Sequence, residues 1–98
     1  MNHMSASPRA LKELFALLSS IENVRESEML LRDILTPKEL RDIAERWQLI
    51  RALDSGMTQR DVAKKCGVSI SKITRGSHEM QYGTGGFRHF LEKRKRKK

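Results

Sequence analysis

Apolar residues recur at three- and four-residue steps through most of this 98-residue chain. That spacing is the period of an amphipathic helix, and no segment alternates with the period of a strand over a useful length. The first run follows Pro8 and consists of Leu11, Leu14, Phe15, Leu17, Leu18 and Ile21. A second run predicts a helix over residues 26–34, with Met29, Leu30, Leu31 and Ile34 as its apolar set.

A third helix has the strongest start signal in the chain. Thr36 can cap it, Pro37 suits its first turn, and Glu39 can reach back to the cap as in a capping box. The apolar residues that follow are Leu40, Ile43, Trp47, Leu49, Ile50 and Leu53. Because Ser55-Gly56 closes the pattern, we expect this helix to run from Pro37 to about Asp54.

Residues 58–78 predict two short helices joined by a tight turn. Thr58 and Ser69 are the expected N-caps, and Gly67 lies where the chain must enter a left-handed conformation. The apolar faces that pack together are formed by Val62, Ala63, Cys66, Val68, Ile70 and Ile73. The pattern is typical of a helix-turn-helix that reads DNA, here over residues 58–77. The alternative is a helical hairpin that only packs in a bundle.

The remaining chain predicts one more helix. Glycines within residues 83–86 indicate a turn, and a short helix should follow from Phe87 to about Lys93. We interpret residues 1–7 as a disordered leader, residues 8–93 as a single all-helical DNA-binding domain and residues 94–98 as a disordered basic tail. The predicted fold class is therefore all-α, with about six helices.

Positive charge is concentrated in the second part of the chain. The net charge is +8, but residues 1–57 hold 8 basic against 9 acidic side chains, whereas residues 58–98 hold 12 against 3. This excess favours a polyanionic partner. The terminal run from Lys93 to Lys98 either follows a duplex backbone and adds sequence-independent affinity or serves only to keep the chain in solution.

Composition argues against several classes of function. The single cysteine, Cys66, excludes an internal disulfide and fits a reducing compartment. His3, His78 and His89 are too scattered for a metal site, and no Ser, His and Asp grouping indicates catalysis, so we expect no metal and no enzyme. No apolar run reaches the roughly 20 residues that a membrane span needs. We expect a cytoplasmic protein with no membrane partner.

Four short motifs resemble the tryptophan repressor superfamily over roughly residues 10–92. They are Leu35-Thr36-Pro37, Glu45-Arg46, Thr58-Gln59-Arg60 and Ile73-Thr74-Arg75-Gly76-Ser77, the last being the most specific. The resemblance implies an intertwined homodimer, in which the first three helices and the last share a core. Its two helix-turn-helix units would enter successive major grooves of double-stranded DNA, so the operator should be a near-palindrome with half-sites about one helical turn apart.

Six residues match positions that face DNA in that family: Gln59, Arg60, Ile70, Ser71, Lys72 and Thr74. Their chemistry supports several of them independently. Arg60 and Lys72 can neutralise phosphates, and Arg60 also has the geometry to clamp guanine. The alternative is that these basic side chains are only solvated.

The resemblance also implies a pocket between the third helix and the recognition helix, where two arginines hold an indole. The matching residues are Leu35, Thr36, Arg46, Arg75, Gly76 and Glu79, and the candidate co-repressor is L-tryptophan. A guanidinium can stack on an aromatic face and hold a carboxylate. Alternatively, Arg46 pairs with Asp42 and Arg75 binds phosphate.

At three places the sequence differs from the tryptophan repressor itself, so a different ligand, or no ligand, could control this chain. Lys72 and Glu79 stand where the repressor has a threonine and a serine. The join between the third helix and the helix-turn-helix, residues 54–57, is one residue shorter, which would rotate the reading head relative to the core.

The sequence thus predicts a sequence-specific DNA-binding transcriptional repressor of the tryptophan repressor type. Control by tryptophan or a related aromatic ligand, and binding without any ligand, are both open. The competitor from another class is a basic helical adaptor that meets RNA or a protein and whose hairpin is structural.

Overall fold

The computed structural model describes residues 7–96, and within them the chain forms six helices and no strand. The helices are α1 (Pro8–Ser19), α2 (Val24–Ile34), α3 (Pro37–Asp54), α4 (Gln59–Cys66), α5 (Ile70–Tyr82) and α6 (Gly86–Arg96). The prediction of an all-α fold is confirmed. The chain divides into two compact units at Leu40, within α3.

Side-chain caps determine where the first two helices begin. Ser7 Oγ accepts the N–H of Ala10 at 3.0 Å, so Ser7 caps α1 instead of belonging to a disordered leader. Residues 1–6 of that expected leader lie outside the described residues. Asn23 Oδ1 accepts the N–H of Glu26 at 2.9 Å and starts α2 at Val24, two residues before the predicted start.

The predicted capping box of α3 is present. Thr36 Oγ1 accepts the N–H of Glu39 at 3.1 Å, and the N–H of Thr36 donates to Glu39 Oε1 at 2.8 Å. Two of the backbone donors that every helix start leaves without a partner are thus satisfied reciprocally. The helix then runs to Asp54, as expected from the sequence.

The first unit contains no fully buried side chain among residues 7–40. Leu14, Ile21 and Leu30 are half-buried. The apolar side chains that remain exposed are Leu11, Phe15, Leu17, Leu18, Val24, Met29 and Ile34. The amphipathic pattern of α1 and α2 therefore presents more apolar surface than the two helices cover on each other.

The second unit holds the core of the chain. Its buried side chains are Leu49, Ile50, Ala52, Val62, Ile73 and Leu91, contributed by α3, α4, α5 and α6. Around them lie half-buried apolar residues, and Trp47 of α3 stacks on Phe87 of α6 with ring centroids 6.3 Å apart. Most of the apolar residues predicted for these four helices meet in this cluster, but Ile43 is 46% exposed and Ile70 is 51% exposed.

Two helix ends differ from the sequence-based expectation. α5 continues beyond Ser77 to Tyr82, so His78 lies inside the helix rather than just after it. Gly76 does not interrupt α5, because it is buried against α3 and its packing offsets the poor helix propensity of glycine. The helix ends at Gly83, whose N–H donates to the carbonyl of Glu79 at 2.8 Å.

The last helix is also longer than predicted. α6 continues beyond Lys93, so residues 94–96 form its final turn instead of a disordered tail. Lys95 Nζ lies 3.1 Å from Asp54 Oδ2, and cations in the last turn of a helix offset its dipole. The last two residues of the expected tail, 97 and 98, lie outside the described residues.

Within residues 7–96, no helix is both long enough and apolar enough to cross a membrane.

Candidate nucleic-acid interface

The turn between α4 and α5 is built by three local signals. Thr58 Oγ1 accepts the N–H of Asp61 at 3.1 Å and caps α4, while Ser69 Oγ accepts the N–H of Lys72 at 3.3 Å and caps α5. Gly67 ends α4 with φ of +66°, in the left-handed region that glycine adopts without strain. The predicted helix, turn and helix are therefore formed by the residues expected to form them.

The inner side of the α4–α5 pair packs on the core. Val62 of α4 and Ile73 of α5 are both 0% exposed, and Ala63, Cys66 and Val68 are packed against the core. Ile70 was also expected in this apolar face, but it is 51% exposed. It is the first residue of α5 and no described element covers it, so it belongs to the outer surface instead.

α5 also packs closely on α3. A Cβ added at Gly76 would lie 2.6 Å from Leu49 Cδ1, so the Leu49 side chain would have to shift, and 3.4 Å from Ile50 Cδ1. The absence of a side chain at Gly76 therefore allows the two helices to approach. The expected place of Gly76 in a ligand pocket stays a prediction, whereas its packing on α3 is a feature of the fold.

The six predicted DNA-facing residues are all exposed. Gln59 and Arg60 lie at the start of α4, and the other four lie in the first turns of α5: Ile70, Ser71, Lys72 and Thr74. They belong to the N-terminal ends of two helices that pack together, where the backbone N–H groups and the helix dipole favour an anion. The arrangement can thus present donors and basic groups to a phosphate backbone.

Lys72 has a partner that the sequence did not indicate. Its Nζ donates to Glu45 Oε1 of α3 at 3.0 Å, so an ion pair joins the recognition helix to α3. This hydrogen bond and the charge of Glu45 raise the pKa of Lys72 above its ordinary value; Asp42 adds to the effect, and Arg46 opposes it. The four side chains therefore form one charged cluster at the junction of α3 and α5.

The predicted ligand-binding residues divide between the two units. Leu35 and Thr36 belong to the first unit, where Leu35 follows the last residue of α2 and the Thr36 hydroxyl caps α3. Arg46, Arg75 and Glu79 are exposed on the second unit, and Gly76 is buried there. Their shared role in binding a ligand stays a prediction.

Comparison with known proteins identifies the family. A model of the Trp repressor protein family matches residues 9–95, which is nearly all of the described chain. The chain belongs to the Trp repressor family. The resemblance seen in its sequence motifs is thereby confirmed.

Individual Trp repressor relatives agree with this assignment. The Trp operon repressor homolog of Chlamydia trachomatis serovar L2 is 42% identical over 73 residues, covering 69% of this chain and 78% of the relative. The homolog of Xylella fastidiosa is 33% identical over 87 residues, covering 88% of this chain and 92% of the relative. A TrpR-like protein from Eubacterium eligens, solved by crystallography, superposes with a TM-score of 0.84 at 25% identity, over 89% of this chain and 90% of that one.

Membership in the Trp repressor family determines the general function. The family is regulatory, so this chain is a transcription regulator of the Trp repressor type and not an enzyme. The residue that sequence reasoning missed is Glu45, the partner of Lys72. Its position 27 residues away in sequence carries no periodic signal that could have revealed the pair.

Proposed function

We propose that this regulator is a repressor that binds a near-palindromic operator in double-stranded DNA through α4 and α5. The observation that carries the proposal is the contrast between the two sides of this unit. Val62 and Ile73 are fully buried inside, while all six expected DNA-facing side chains are exposed outside. A helix presented in this way suits the major groove.

The chemistry of the outer side supports duplex DNA in particular. Arg60 can pair with phosphate or clamp a guanine, and Ser71 and Thr74 can reach base edges or phosphates. Ile70, exposed at the tip of α5, offers an apolar contact to a thymine methyl group.

The second part of the proposal is a homodimer, supported by the apolar surface of the first unit. A single copy leaves Phe15 61% exposed and Met29 59% exposed, and none of residues 7–40 is fully buried. A chain of this length buries a marginal core unless it pairs with another chain. A second copy covering this face would add the missing core and give the two-fold symmetry that a near-palindrome requires.

Fluorescence anisotropy on selected and random duplexes tests the DNA part. Arg60→Gln should weaken binding to the selected duplex and flatten the dependence of log affinity on log salt by about 0.9 if one phosphate contact is lost. The matched control is Arg25→Gln, which removes one exposed arginine from α2 and should leave both quantities unchanged. If Arg60→Gln and Arg25→Gln have the same affinity and the same salt slope, the proposal is contradicted.

Sedimentation measurements test the dimer. The wild type should have twice the mass of one chain, and Phe15→Asp should shift it toward the monomer because a carboxylate would have to be buried in the interface. A wild type that stays monomeric at tens of micromolar would contradict this part.

Ligand control is the finer part of the proposal. It is supported by two exposed guanidinium groups, Arg46 on α3 and Arg75 on α5. The ion pair between Lys72 and Glu45 joins these two helices, and Glu45 is the residue before Arg46. Two such groups can stack on an indole and hold a carboxylate. Calorimetry should detect L-tryptophan binding to the wild type and its loss in Arg75→Ala. No heat at millimolar tryptophan would leave a regulator that works without this ligand.

A further inference from the structure

The final turn of α6 brings a second group of basic side chains against α3. Leu91 is the last apolar residue of the helix and is buried, and residues 92–96 are exposed. Four of those five are basic: Lys93, Arg94, Lys95 and Arg96. Because they are helical, they have defined positions along one axis rather than the freely varying positions of a tail.

This turn forms one wall of a cleft whose other wall is the end of α3. The cleft is lined by Arg51, Asp54, Ser55, Leu91, Arg94 and Lys95. Across it, Lys95 Nζ contacts Asp54 Oδ2 at 3.1 Å, which ties α6 to α3. Arg51 and Arg94 are exposed and lie one on each helix, so two guanidinium groups flank the same cleft.

The charges at the cleft leave it positive. The one carboxylate that lines it, Asp54, is paired with Lys95, so the charges of Arg51 and Arg94 are not offset within the lining. A guanidinium group carries a planar fork of donors that matches phosphate oxygens, and Ser55 can add a hydroxyl donor. The chemistry therefore suits a phosphate group of a polyanion.

We infer that this cleft binds a backbone phosphate of the same DNA duplex that α4 and α5 bind, outside the bases that they read. The inference rests on the proposed DNA-binding function. It assigns the α3–α6 cleft a sequence-independent share of the affinity, and it replaces the expected role of a disordered basic tail with a fixed surface on two helices.

Duplex DNA fits this surface better than a membrane does. An interfacial membrane helix needs an apolar face beside its basic one, but residues 92–96 include no apolar residue and Leu91 is buried in the core. Phe90, 52% exposed beside Lys93, is a single apolar side chain and does not make such a face. The cleft also belongs to the unit that carries α4 and α5, and its α6 wall lies in residues 58–98, which hold 12 basic against 3 acidic side chains. One polyanion spanning both surfaces explains that asymmetry.

The test compares the full-length wild type with Arg51→Gln/Arg94→Gln on a selected duplex and on a random duplex of equal length. Anisotropy titrations between 50 and 300 mM salt give the slope of log affinity against log salt. The double variant should flatten the slope by about 0.9 on both duplexes, since both guanidinium groups hold one phosphate and each lost phosphate contact contributes about 0.9. Between 50 and 200 mM salt, the affinity of the double variant should therefore fall by a factor about 3.5 times smaller than that of the wild type. Its preference for the selected duplex should be unchanged.

The matched control is Lys12→Gln/Arg25→Gln, which removes the same charge from α1 and α2 and should keep the wild-type slope. An unchanged slope in Arg51→Gln/Arg94→Gln, while Arg60→Gln flattens it, would overturn this inference and leave the proposed function standing. A wild type that binds no duplex would overturn both. A slope that flattens on single-stranded RNA but not on duplex DNA would also overturn the inference and assign the cleft to RNA.

Discussion

Replacing Gly76 by alanine tests the contact between α5 and α3 directly. The added Cβ would lie 2.6 Å from Leu49 Cδ1, and Leu49 is only 2% exposed, so its side chain has little room to rotate away. Forcing an extra carbon into a packed core costs about 1–3 kcal/mol. Alanine also gains about 1 kcal/mol over glycine inside a helix. The net expectation is a loss of stability of about 1 kcal/mol.

Guanidinium denaturation followed by circular dichroism measures this change at a fixed protein concentration, because dimerisation would make the midpoint depend on concentration. A loss of about 1 kcal/mol lowers the melting temperature by about 4–8 °C in a domain of this size. Gly86→Ala is the matched control. Gly86 is also helical, but an added Cβ would meet nothing within 4 Å, so this variant should be as stable as the wild type or slightly more.

A second variant separates the clash with Leu49 Cδ1 from the gain in helix propensity that alanine brings. Leu49→Val removes the Cδ1 atom that an alanine at position 76 would strike, at a cost of about 1 kcal/mol for the lost methylene. In that background Gly76→Ala should stabilise the protein, because only the gain in propensity remains. If Gly76→Ala stabilises the wild type by the full propensity gain, the close approach of α5 to α3 is refuted.

Two further predictions concern single side chains. Thr58→Ala should cost about 1 kcal/mol in urea denaturation by removing the cap of α4, whereas Thr58→Ser should keep most of the stability; equal losses would argue against the cap. Glu45→Gln should return the pKa of Lys72 toward its ordinary value, as measured by NMR titration of the side chain. Because the pKa of Lys72 is raised in the folded chain, the contribution of the ion pair is fully present below pH 10.5 and is lost as the pH rises through the raised value. A Lys72 pKa that is the same in both chains would contradict this cause.

The helix starts were readable from the sequence because caps act over three residues. The Thr36 and Glu39 bonds, and the caps at Thr58 and Ser69, join groups that the chain holds close together whatever the rest of the fold does. The start of α2, two residues before the predicted one, depends on the same kind of local cap, formed by Asn23. Local chemistry was therefore enough for the number, type and order of the helices.

Helix ends were less predictable because packing between helices decides them. The predicted helix-turn-helix ends at residue 77, yet α5 continues to Tyr82, and Gly76 is accommodated within it because it packs against Leu49. Residues 94–98 were expected to form a disordered tail because a basic run cannot pack, yet Lys95 reaches Asp54 and the helix continues to Arg96. In both cases a residue distant in sequence changes the local preference.

The sequence by itself determined an all-helical chain, the turn between α4 and α5, the polarity of their outer side and the family. Only the tertiary structure decided which apolar residues are covered, with Ile50 and Ile73 buried and Phe15 and Ile70 exposed. It also decided that Lys72 pairs with Glu45 and that Arg51 and Arg94 share a cleft. The physical reason is distance along the chain: periodicity and caps act within a few residues, whereas burial and ion pairs depend on partners that folding brings together.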